Sequence, residues 1–341
     1  SLRGATLDAS GNRGGGLIRI GGDYQGNGSV INANQTSIDH LSLLSASALE
    51  RGNGGNVIIW SDDTTDFQGS IRAQGGLSSG NGGFAEISGK KRLNISGSVD
   101  LSALQGETGT VLLDPENIVI TNGTAPTNTA TTTYLSSNYV ERLSNTANVS
   151  LAATNNFIIE DLSDNELRFQ RGSAVTLTAD SDLDGNGAFI MLDTKDFIDA
   201  DRGNISLFGA GITAGRLTTD TTGTTGENAG NITLVSSRGV TVNNISTNTY
   251  FNGNGAGNGG DLRIEARNGD IAVDGLIKTW SLATGSNAGS GGNVSLEASG
   301  RIFIDDEINT ASSSGENNAS NGGNVSLIAH TGDIVVNDIY T

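Results

Sequence analysis

The sequence contains no cysteine, which excludes disulfide bridges and thiolate metal sites. It contains only two prolines, and its fifty glycines follow no three-residue period, which excludes a collagen triple helix. The longest strictly apolar run extends from Ala188 to Leu192, far short of the roughly 20 residues that a membrane-spanning helix needs. We therefore expect no membrane insertion.

Basic residues are also scarce, with 19 Lys and Arg against 37 Asp and Glu and a net charge of −18. A surface with this charge repels nucleic-acid phosphates and anionic lipid headgroups, so neither is an expected partner. Aromatic residues make up only 5% of the chain. Full disorder is nevertheless excluded, because 35% of the residues are hydrophobic and many of them alternate with polar residues in short runs.

A repeated unit dominates what is present, and its clearest copy extends from Gly291 to Ile304. A Gly-Gly-Asn corner leads into an alternating strand at Val294–Leu296, and Gly300 opens a second strand. A third short segment, Ile308–Thr310, precedes a polar loop. The anchor glycines of successive copies are separated by 27, 30, 32 and 31 residues: Gly203, Gly230, Gly260, Gly292 and Gly323.

Three short strands and one variable loop per repeat predict an all-β fold, a right-handed parallel β-helix. Because side chains alternate along a strand, we expect Val294 and Leu296 to fill the core and Ser295 to face solvent. Neighbouring coils must stack, since one coil alone cannot bury its apolar face. Taking about 28 residues per coil predicts roughly 12 coils.

The residue after most anchor glycines is Asn or Asp, and these residues fall at the same corner of successive coils. We expect their side chains to form a hydrogen-bonded ladder along the coil axis, the alternative being a set of solvated turn residues. The members of the predicted ladder are Asn56, Asn204, Asn231, Asp261, Asn293 and Asn324.

The composition predicts three regions along the chain. Residues 1–120 are predicted to form β-helix coils that follow or complete a secretion-domain region, and residues 149–341 a continued β-helix of about 30-residue coils. Between them, residues 121–148 are a Thr- and Asn-rich loop or linker, in which Ser136 or Ser137 is expected to cap a short helical turn ending near Leu143. A further helical spacing is seen around Ile38 and Leu41. Because the chain begins at Ser1 within the pattern, we expect it to be an internal or processed segment.

Residues 54–120 carry a specific resemblance. Gly-Gly-Asn-Val-Ile-Ile-Trp begins at Gly54, Gly-Gly-Phe-Ala-Glu-Ile at Gly82, Val-Asp-Leu-Ser-Ala at Val99 and Gly-Thr-Val-Leu-Leu-Asp-Pro at Gly109. This succession resembles the segment after the secretion domain of filamentous haemagglutinin-like exoproteins of Gram-negative bacteria, the TpsA class of two-partner secretion. The glycine-rich repeats that follow resemble cyanobacterial members.

The resemblance implies export through an outer-membrane two-partner transporter and a location outside the cell or at its surface. It also implies a β-helical shaft with a role in adhesion to cell-surface or matrix glycans or proteins, or in surface assembly. An open parallel helix ends in unpaired strands, so end-to-end self-association into filaments is a further expectation. No catalytic residue and no cofactor-binding residue is predicted.

One acidic stretch matches half of a calcium loop. Asp180, Asp182 and Asp184 alternate and are followed by Gly185, as in the first positions of an EF-hand loop. The expected ligands of a bound Ca²⁺ are these three carboxylates and the carbonyl of Asn186. The match is incomplete, because the twelfth position is not Glu, and an acidic turn between two coils is the alternative. Asp193, Asp196, Asp199 and Asp201 are interpreted as solvated turn residues.

Three functional hypotheses follow from these patterns. The first is a non-enzymatic secreted shaft whose variable loops provide the contact surface. The second is a polysaccharide-processing β-helix enzyme, which needs carboxylates clustered on one face. The third is a calcium-dependent surface assembly module. Aromatic residues such as Trp60, Phe67 and Tyr250 either fill coil interiors or provide exposed surfaces for stacking on sugars. The predicted contact loops are Gly215–Ala229, Asn248–Asn258, Ala283–Ser290 and Ala311–Asn321.

Overall fold

In a computed structural model the chain is nearly all parallel β-structure with about 3% helix, arranged as a β-solenoid of about ten turns. The structure describes residues 1–223, 226–316 and 318–341. The predicted parallel solenoid is confirmed, but the coils are fewer than predicted because some early coils are long: Leu17 pairs with Asn56, and Thr110 with Asn148. By its internal contacts the chain divides into two compact units, Ser1–Phe157 and Ile158–Thr341.

The first unit contains fourteen complete strands and one short α-helix. Its strands are β1 Thr6–Asp8, β2 Leu17–Ile20, β3 Gln35–Ile38, β4 Leu43–Ser45, β5 Asn56–Ile59, β6 Thr64–Phe67, β7 Ser70–Arg72, β8 Phe84–Ile87, β9 Arg92–Ile95, β10 Ser98–Asp100, β11 Thr110–Leu113, β12 Asn117–Thr121, β13 Thr132–Ser136 and β14 Asn148–Ala152. They stack as parallel sheets in the orders β2-β5-β8-β11-β14, β1-β4-β7-β10 and β3-β6-β9. β12 pairs with β13.

The helix α1, Ser137–Leu143, lies where a short helical turn was predicted. The side-chain oxygen of Ser136 accepts a hydrogen bond from the Tyr139 backbone N–H at 3.2 Å, which caps the helix. Tyr139, Val140 and Leu143 are buried, so the helix packs into the unit as part of its core. The helical spacing around Ile38 was misleading, because that segment forms β3 and β4 with Leu41 exposed between them.

The second unit begins within β15, Phe157–Ile159, and its later coils carry four strands each. The strands that follow are β16 Glu166–Arg168, β17 Val175–Thr178, β18 Ala188–Met191, β19 Phe197–Asp199, β20 Ile205–Gly209, β21 Gly211–Ala214, β22 Arg216–Thr218, β23 Thr221–Thr222, β24 Ile232–Ser236, β25 Val240–Val242, β26 Ile245–Ser246, β27 Thr249–Phe251, β28 Leu262–Ala266, β29 Ile271–Val273, β30 Ile277–Lys278, β31 Ser281–Ala283, β32 Val294–Ala298, β33 Ile302–Asn309, β34 Ser312–Ser314, β35 Val325–Ala329 and β36 Ile334–Tyr340.

The repeated strands of the second unit stack in register on their counterparts. The glycine-anchored strands follow the order β17-β20-β24-β28-β32-β35, and a separate four-stranded sheet follows β23-β27-β31-β34. In β32, Val294, Leu296 and Ala298 are buried and Ser295 and Glu297 are exposed, as the alternation predicts. Val294 pairs with Leu262 on one side and Val325 on the other, so like residues stack along the core.

The predicted Asn ladder is present in the second unit. The side-chain oxygen of each ladder residue accepts a hydrogen bond from the backbone N–H of the next ladder residue, 27, 30, 32 or 31 positions later. From Asn204 to Asn231 and from Asn231 to Asp261 the distance is 2.8 Å, from Asp261 to Asn293 2.7 Å and from Asn293 to Asn324 3.0 Å. Each bond joins one coil to the next at the same corner.

A buried threonine closes each of these coils at the same corner. The hydroxyl groups of Thr219, Thr247 and Thr279 donate hydrogen bonds of 2.6 Å to the carbonyl oxygens of the next anchor glycines, and Thr310 does so at 2.7 Å. These threonines are almost completely buried, and each ends the third strand segment of its repeat. The acceptors are Gly230, Gly260, Gly292 and Gly323, respectively.

A fourth strand occupies part of the predicted contact loops. β27 lies within the loop Asn248–Asn258, and the buried hydroxyl of Thr249 donates to the carbonyl oxygen of Gly257 at 2.6 Å. Phe251 of β27 packs against a small separate hydrophobic cluster of Ala256, Ala283 and Ala288. The sequence pattern missed this strand, because its fully buried position is a threonine, Thr249, and not an apolar residue. Thr224 and Thr225 in one predicted loop and Asn317 in another lie outside the described residues.

Candidate functional site

The structure brings together the three aspartates of the predicted calcium loop. One carboxylate oxygen each of Asp180, Asp182 and Asp184 lies within 4.8 Å of the other two. Asp180 and Leu183 adopt positive φ angles of 55° and 62°, so the chain turns sharply between β17 and β18. This convergence agrees with the sequence pattern, and the binding of calcium by these residues stays a prediction.

Hydrogen bonds within this loop already engage much of the predicted ligand set. Asp180 is buried and accepts a hydrogen bond from the Gly185 N–H at 3.0 Å, while burial raises the pKa of its carboxyl. The backbone N–H of Asn186 donates to Asp184 at 2.8 Å, and side-chain and backbone hydrogen bonds from Asn186 lower the pKa of Asp184. Arg238 donates to the Gly185 carbonyl oxygen at 2.9 Å, which places a positive charge beside the loop.

A second acidic cluster was missed by the sequence patterns. One carboxylate oxygen each of Asp161, Asp193 and Asp196 lies within 4.8 Å of the other two. The interpretation of Asp196 as a solvated turn residue was wrong, because its side chain is fully buried. Burial raises the pKa of the Asp196 carboxyl, and the neighbouring carboxylates act in the same direction. Asp161 and Asp193 are 32 residues apart, which is about one coil length. This spacing could have indicated from the sequence that the two aspartates lie next to each other on neighbouring coils.

The first unit buries another carboxylate that the sequence patterns did not identify. Glu86 lies on β8 with Ala85 and Ile87 directed into the core, and a single 3₁₀ turn, Tyr24–Gly26, covers its opposite face. Its two carboxylate oxygens accept hydrogen bonds from the Gln25 backbone N–H at 3.0 and 3.1 Å. Burial raises the pKa of Glu86 to about 7, and Asp114 nearby acts in the same direction.

A groove of about 380 Å³ lies beside α1 in the first unit. Its charged lining residues are Arg72, Asp100 and Arg142. Both oxygens of Asp100 are engaged, because Oδ1 accepts hydrogen bonds from Ser102 and Oδ2 accepts one from Gln74 at 2.8 Å. The groove therefore offers one hydrogen-bonded carboxylate between two cations, which is not the pair of carboxylates that glycoside hydrolysis needs.

The aromatic residues divide between the interior and the loop surface. Phe67 is fully buried and Trp60 nearly so, with the indole N–H of Trp60 donating to Asp62 at 3.0 Å. Tyr250, by contrast, is exposed on β27, and its register partner on β31 is Leu282. The predicted interior role is confirmed for Trp60 and Phe67, while Tyr250 remains on the surface.

No protein-family model matches the chain, and the search of curated proteins gives no match either. The longest helix of the described residues, α1, has seven residues, and none is long and apolar enough to cross a membrane. The established property is the β-solenoid, which is compatible with a structural or adhesive shaft. The same fold occurs in both enzymes and structural proteins.

Proposed function

We propose that this chain is a non-enzymatic structural or adhesive segment of a secreted, filamentous haemagglutinin-like exoprotein. The observation that carries the proposal is the corner ladder of the second unit, where the same hydrogen bonds recur in consecutive coils. Residues that recur in consecutive coils hold the coils together, so the loops between them are expected to determine which partner the protein binds. Such a division between a constant frame and variable loops is typical of solenoid proteins with extended contact surfaces.

The fourth-strand sheet is the part of the second unit best suited to contact a partner. Tyr250 presents an exposed aromatic ring there, with Leu282 beside it and Thr222 and Ser313 at the flanking register positions. An aromatic side chain with a polar tip, surrounded by hydroxyl groups, suits the stacking and hydrogen bonding that sugars offer. Glycans at a cell surface or in a matrix are therefore the proposed partners, with proteins of the same surfaces as the alternative.

Neither Glu86 nor the groove beside α1 supports the alternative of a polysaccharide-processing enzyme. Glu86 has the raised pKa of a general acid, but its side chain is fully buried under the Tyr24–Gly26 turn. Asp100 is the only carboxylate among the residues described as lining the groove beside α1. A glycosidase places two carboxyl groups on either side of an accessible bond, and neither place offers that arrangement.

Export and assembly are further parts of the proposal. The absence of cysteine suits a chain that passes unfolded through an outer-membrane transporter, because no disulfide has to be reduced. Because solenoid coils stack through parallel strand pairing, the same pairing could join copies end to end, so self-association into filaments is the proposed mode of assembly.

Antibody labelling of whole cells tests whether the protein is exported to the cell surface. Antibodies raised against the purified chain are applied to intact cells of the source organism, and the same cells after permeabilisation serve as the control. We expect equal labelling before and after permeabilisation, or protein recovered from the medium. Labelling that appears only after permeabilisation would overturn the proposed export.

Incubation with insoluble polysaccharides tests the activity. The full chain is incubated with cellulose, chitin and a galacturonan, and both sedimentation with the solid and the release of reducing ends are measured. We expect sedimentation without turnover, with retention weakened by Tyr250→Ser and unchanged by the control Tyr340→Ser, since Tyr340 is also exposed but lies on another sheet. Sustained release of reducing ends would establish the enzyme instead, and equal loss in both variants would remove the proposed contact surface.

A further inference from the structure

The aspartates of the second acidic cluster come from turns of neighbouring coils in the second unit. Asp161 follows β15, and Asp193 and Asp196 lie in the turn between β18 and β19. The backbone N–H of Leu192 donates to the carbonyl oxygen of Ile159 at 2.9 Å, so the two turns are stacked by the backbone hydrogen bonds of the solenoid. The cluster is therefore held by the fold and does not depend on flexible side chains alone.

One oxygen of this cluster has no partner although it is buried. Asp196 is 0% exposed, and its Oδ2 accepts a hydrogen bond from the Leu162 backbone N–H at 3.0 Å. Its other oxygen, Oδ1, has no hydrogen-bond donor among the residues that the structure describes. Buried carboxylate oxygens are normally hydrogen-bonded to protein or water, paired with a cation or bound to a metal, so this oxygen is free to accept a donor or to bind a cation.

The described residues supply no such positive partner nearby. Within the described part of the chain, no Lys or Arg forms an ion pair with Asp161, Asp193 or Asp196. Lys195 is adjacent in sequence, but it contributes only its backbone N–H, which donates to Asp193 at 2.9 Å. Asp164 adds a further negative charge on the turn that carries Asp161. Three converging carboxylates with an unpartnered buried oxygen repel one another, and a bound cation would relieve that repulsion.

We propose that Asp161, Asp193 and Asp196 form a binding site for one hard divalent cation, Ca²⁺ in the first place. All the available ligands are oxygens, which is the ligand type of Ca²⁺ and Mg²⁺. Asp161 is exposed and Asp193 half-buried, so water can complete the coordination sphere, as Ca²⁺ tolerates in irregular sites. The predicted loop at Asp180 differs, because among the described residues no oxygen of Asp180 is both buried and without a hydrogen-bond partner.

Calorimetry and thermal unfolding of the full chain test the site. After treatment with a chelator, the protein is titrated with CaCl₂ and, separately, with MgCl₂. We expect one Ca²⁺ per chain with a Kd of about 0.1–1 mM, the range of extracellular modules. At a hundredfold excess over Kd the Tm should rise by about 5–10 °C.

The variant Asp196→Asn separates metal binding from folding. Its amide oxygen can accept the Leu162 N–H while the amide nitrogen replaces the unpartnered oxygen, so the side chain fits without the charge. We expect this variant to be at least as stable as the parent protein in chelator and to lose the calcium-dependent rise in Tm. The exposed Asp161→Asn should weaken binding by about 10-fold or more, which is the size of loss that even outer ligand contacts produce.

Matched controls locate the site. Asp164→Asn removes a charge from the same turn without removing a proposed ligand, and Asp182→Asn probes the other acidic loop. Both should keep the calcium response. Absence of calcium and magnesium binding at about 10 mM, well above the range of protein calcium sites, would refute the proposal. It would also fail if Asp182→Asn abolished the response while Asp161→Asn and Asp196→Asn retained it. A magnesium response of equal size supports the cation site and removes the preference for calcium.

Discussion

Gly292 lies at a corner where consecutive coils come so close that a methyl group does not fit. A Cβ atom on Gly292 would lie 2.0 Å from the carbonyl oxygen of Gly260 and 2.5 Å from its carbonyl carbon. Ordinary contact needs about 3.5 Å, so Gly292→Ala must push the neighbouring coil away by about 1.5 Å. The contact is with backbone, which cannot rotate out of the way as a side chain can.

The loss of stability caused by Gly292→Ala can be calculated approximately from the hydrogen bonds at this corner. The Gly292 N–H donates to the Thr279 carbonyl oxygen at 2.7 Å, and the Thr279 hydroxyl donates to the Gly292 carbonyl oxygen at 2.6 Å. The Asn293 N–H donates to Asp261 at 2.7 Å. Weakening these three bonds costs about 1 kcal/mol each, and the overlap adds about 1–3 kcal/mol. After the small gain from a less flexible unfolded chain, we expect a loss of about 4 kcal/mol.

Chemical and thermal unfolding followed by circular dichroism measure this loss. For a unit of this size, about 4 kcal/mol corresponds to a fall in Tm of about 10 °C. Gly211→Ala is the matched control, because the nearest atom to its added Cβ would be the Ala188 Cβ at 3.9 Å and its φ is not positive. That control should leave stability unchanged or raise it by up to about 1 kcal/mol.

The same substitution, glycine to alanine, should therefore lower stability at position 292 and should not lower it at position 211. If Gly292→Ala unfolds within about 2 °C of Gly211→Ala, less than 1 kcal/mol on this scale, the close approach of the coils is not what the corner requires. Hydrogen exchange adds a local check. We expect faster exchange in the amides of the coils on either side of Gly292, with little change in the first unit.

Other substitutions test single contacts. Thr279→Val removes the hydroxyl that closes a coil, so the free energy of unfolding measured in urea should fall by about 1 kcal/mol, whereas the exposed Thr241→Val should change it little. Asn293→Ala should cost only about 0.5 kcal/mol, because the N–H that it releases is exposed and water can accept its hydrogen bond; a loss near that of Gly292→Ala would contradict this. Burial raises the pKa of Glu86 from 4.5 to about 7, so the folded state holds the proton more tightly than the unfolded state. Stability should therefore fall as the pH rises from about 4.5 to 7, by about 3 kcal/mol from this group. Glu86→Gln should remove that slope and the exposed Glu107→Gln should keep it; an unchanged slope in Glu86→Gln would assign it to other groups.

Much of the second unit could be predicted because its constraints are periodic. A glycine, an Asn or Asp and an alternating apolar pair recur at offsets of one coil, and parallel stacking brings equal positions into register. Asn293, Thr310 and Val294 could thus be assigned to the corner, the end of the third segment and the core from the sequence alone. The ladder of the second unit lies at the predicted corner, although four of its bonds run from a backbone N–H to a side-chain oxygen. Two further bonds join side chains, from Asn293 to Asp261 and from Asn324 to Asn293.

The parts that could not be predicted lack this local signature. Glu86 has an ordinary strand position in the sequence. It is buried by the Tyr24–Gly26 turn, in which Gln25, its hydrogen-bond partner, lies 61 residues earlier in the chain. Asp161 meets Asp193 and Asp196 only through the stacking of two turns. The strand β27 lacks the apolar alternation of a core strand, because its buried residue is Thr249, whose hydroxyl donates to the Gly257 carbonyl oxygen. Each of these features depends on which coil lies next to which, and alternation along one strand does not contain that information.

The threonine that closes each coil has a consequence for how such a protein changes its length. In three successive repeats the threonine that donates and the glycine that accepts are 13 residues apart. Both partners of this hydrogen bond therefore lie close together in the sequence, and no distant part of the chain is needed to form it. Duplication or deletion of one whole repeat in the gene therefore adds or removes both partners of one such hydrogen bond together. Length can therefore vary by whole coils while the segment between donor and acceptor diversifies independently.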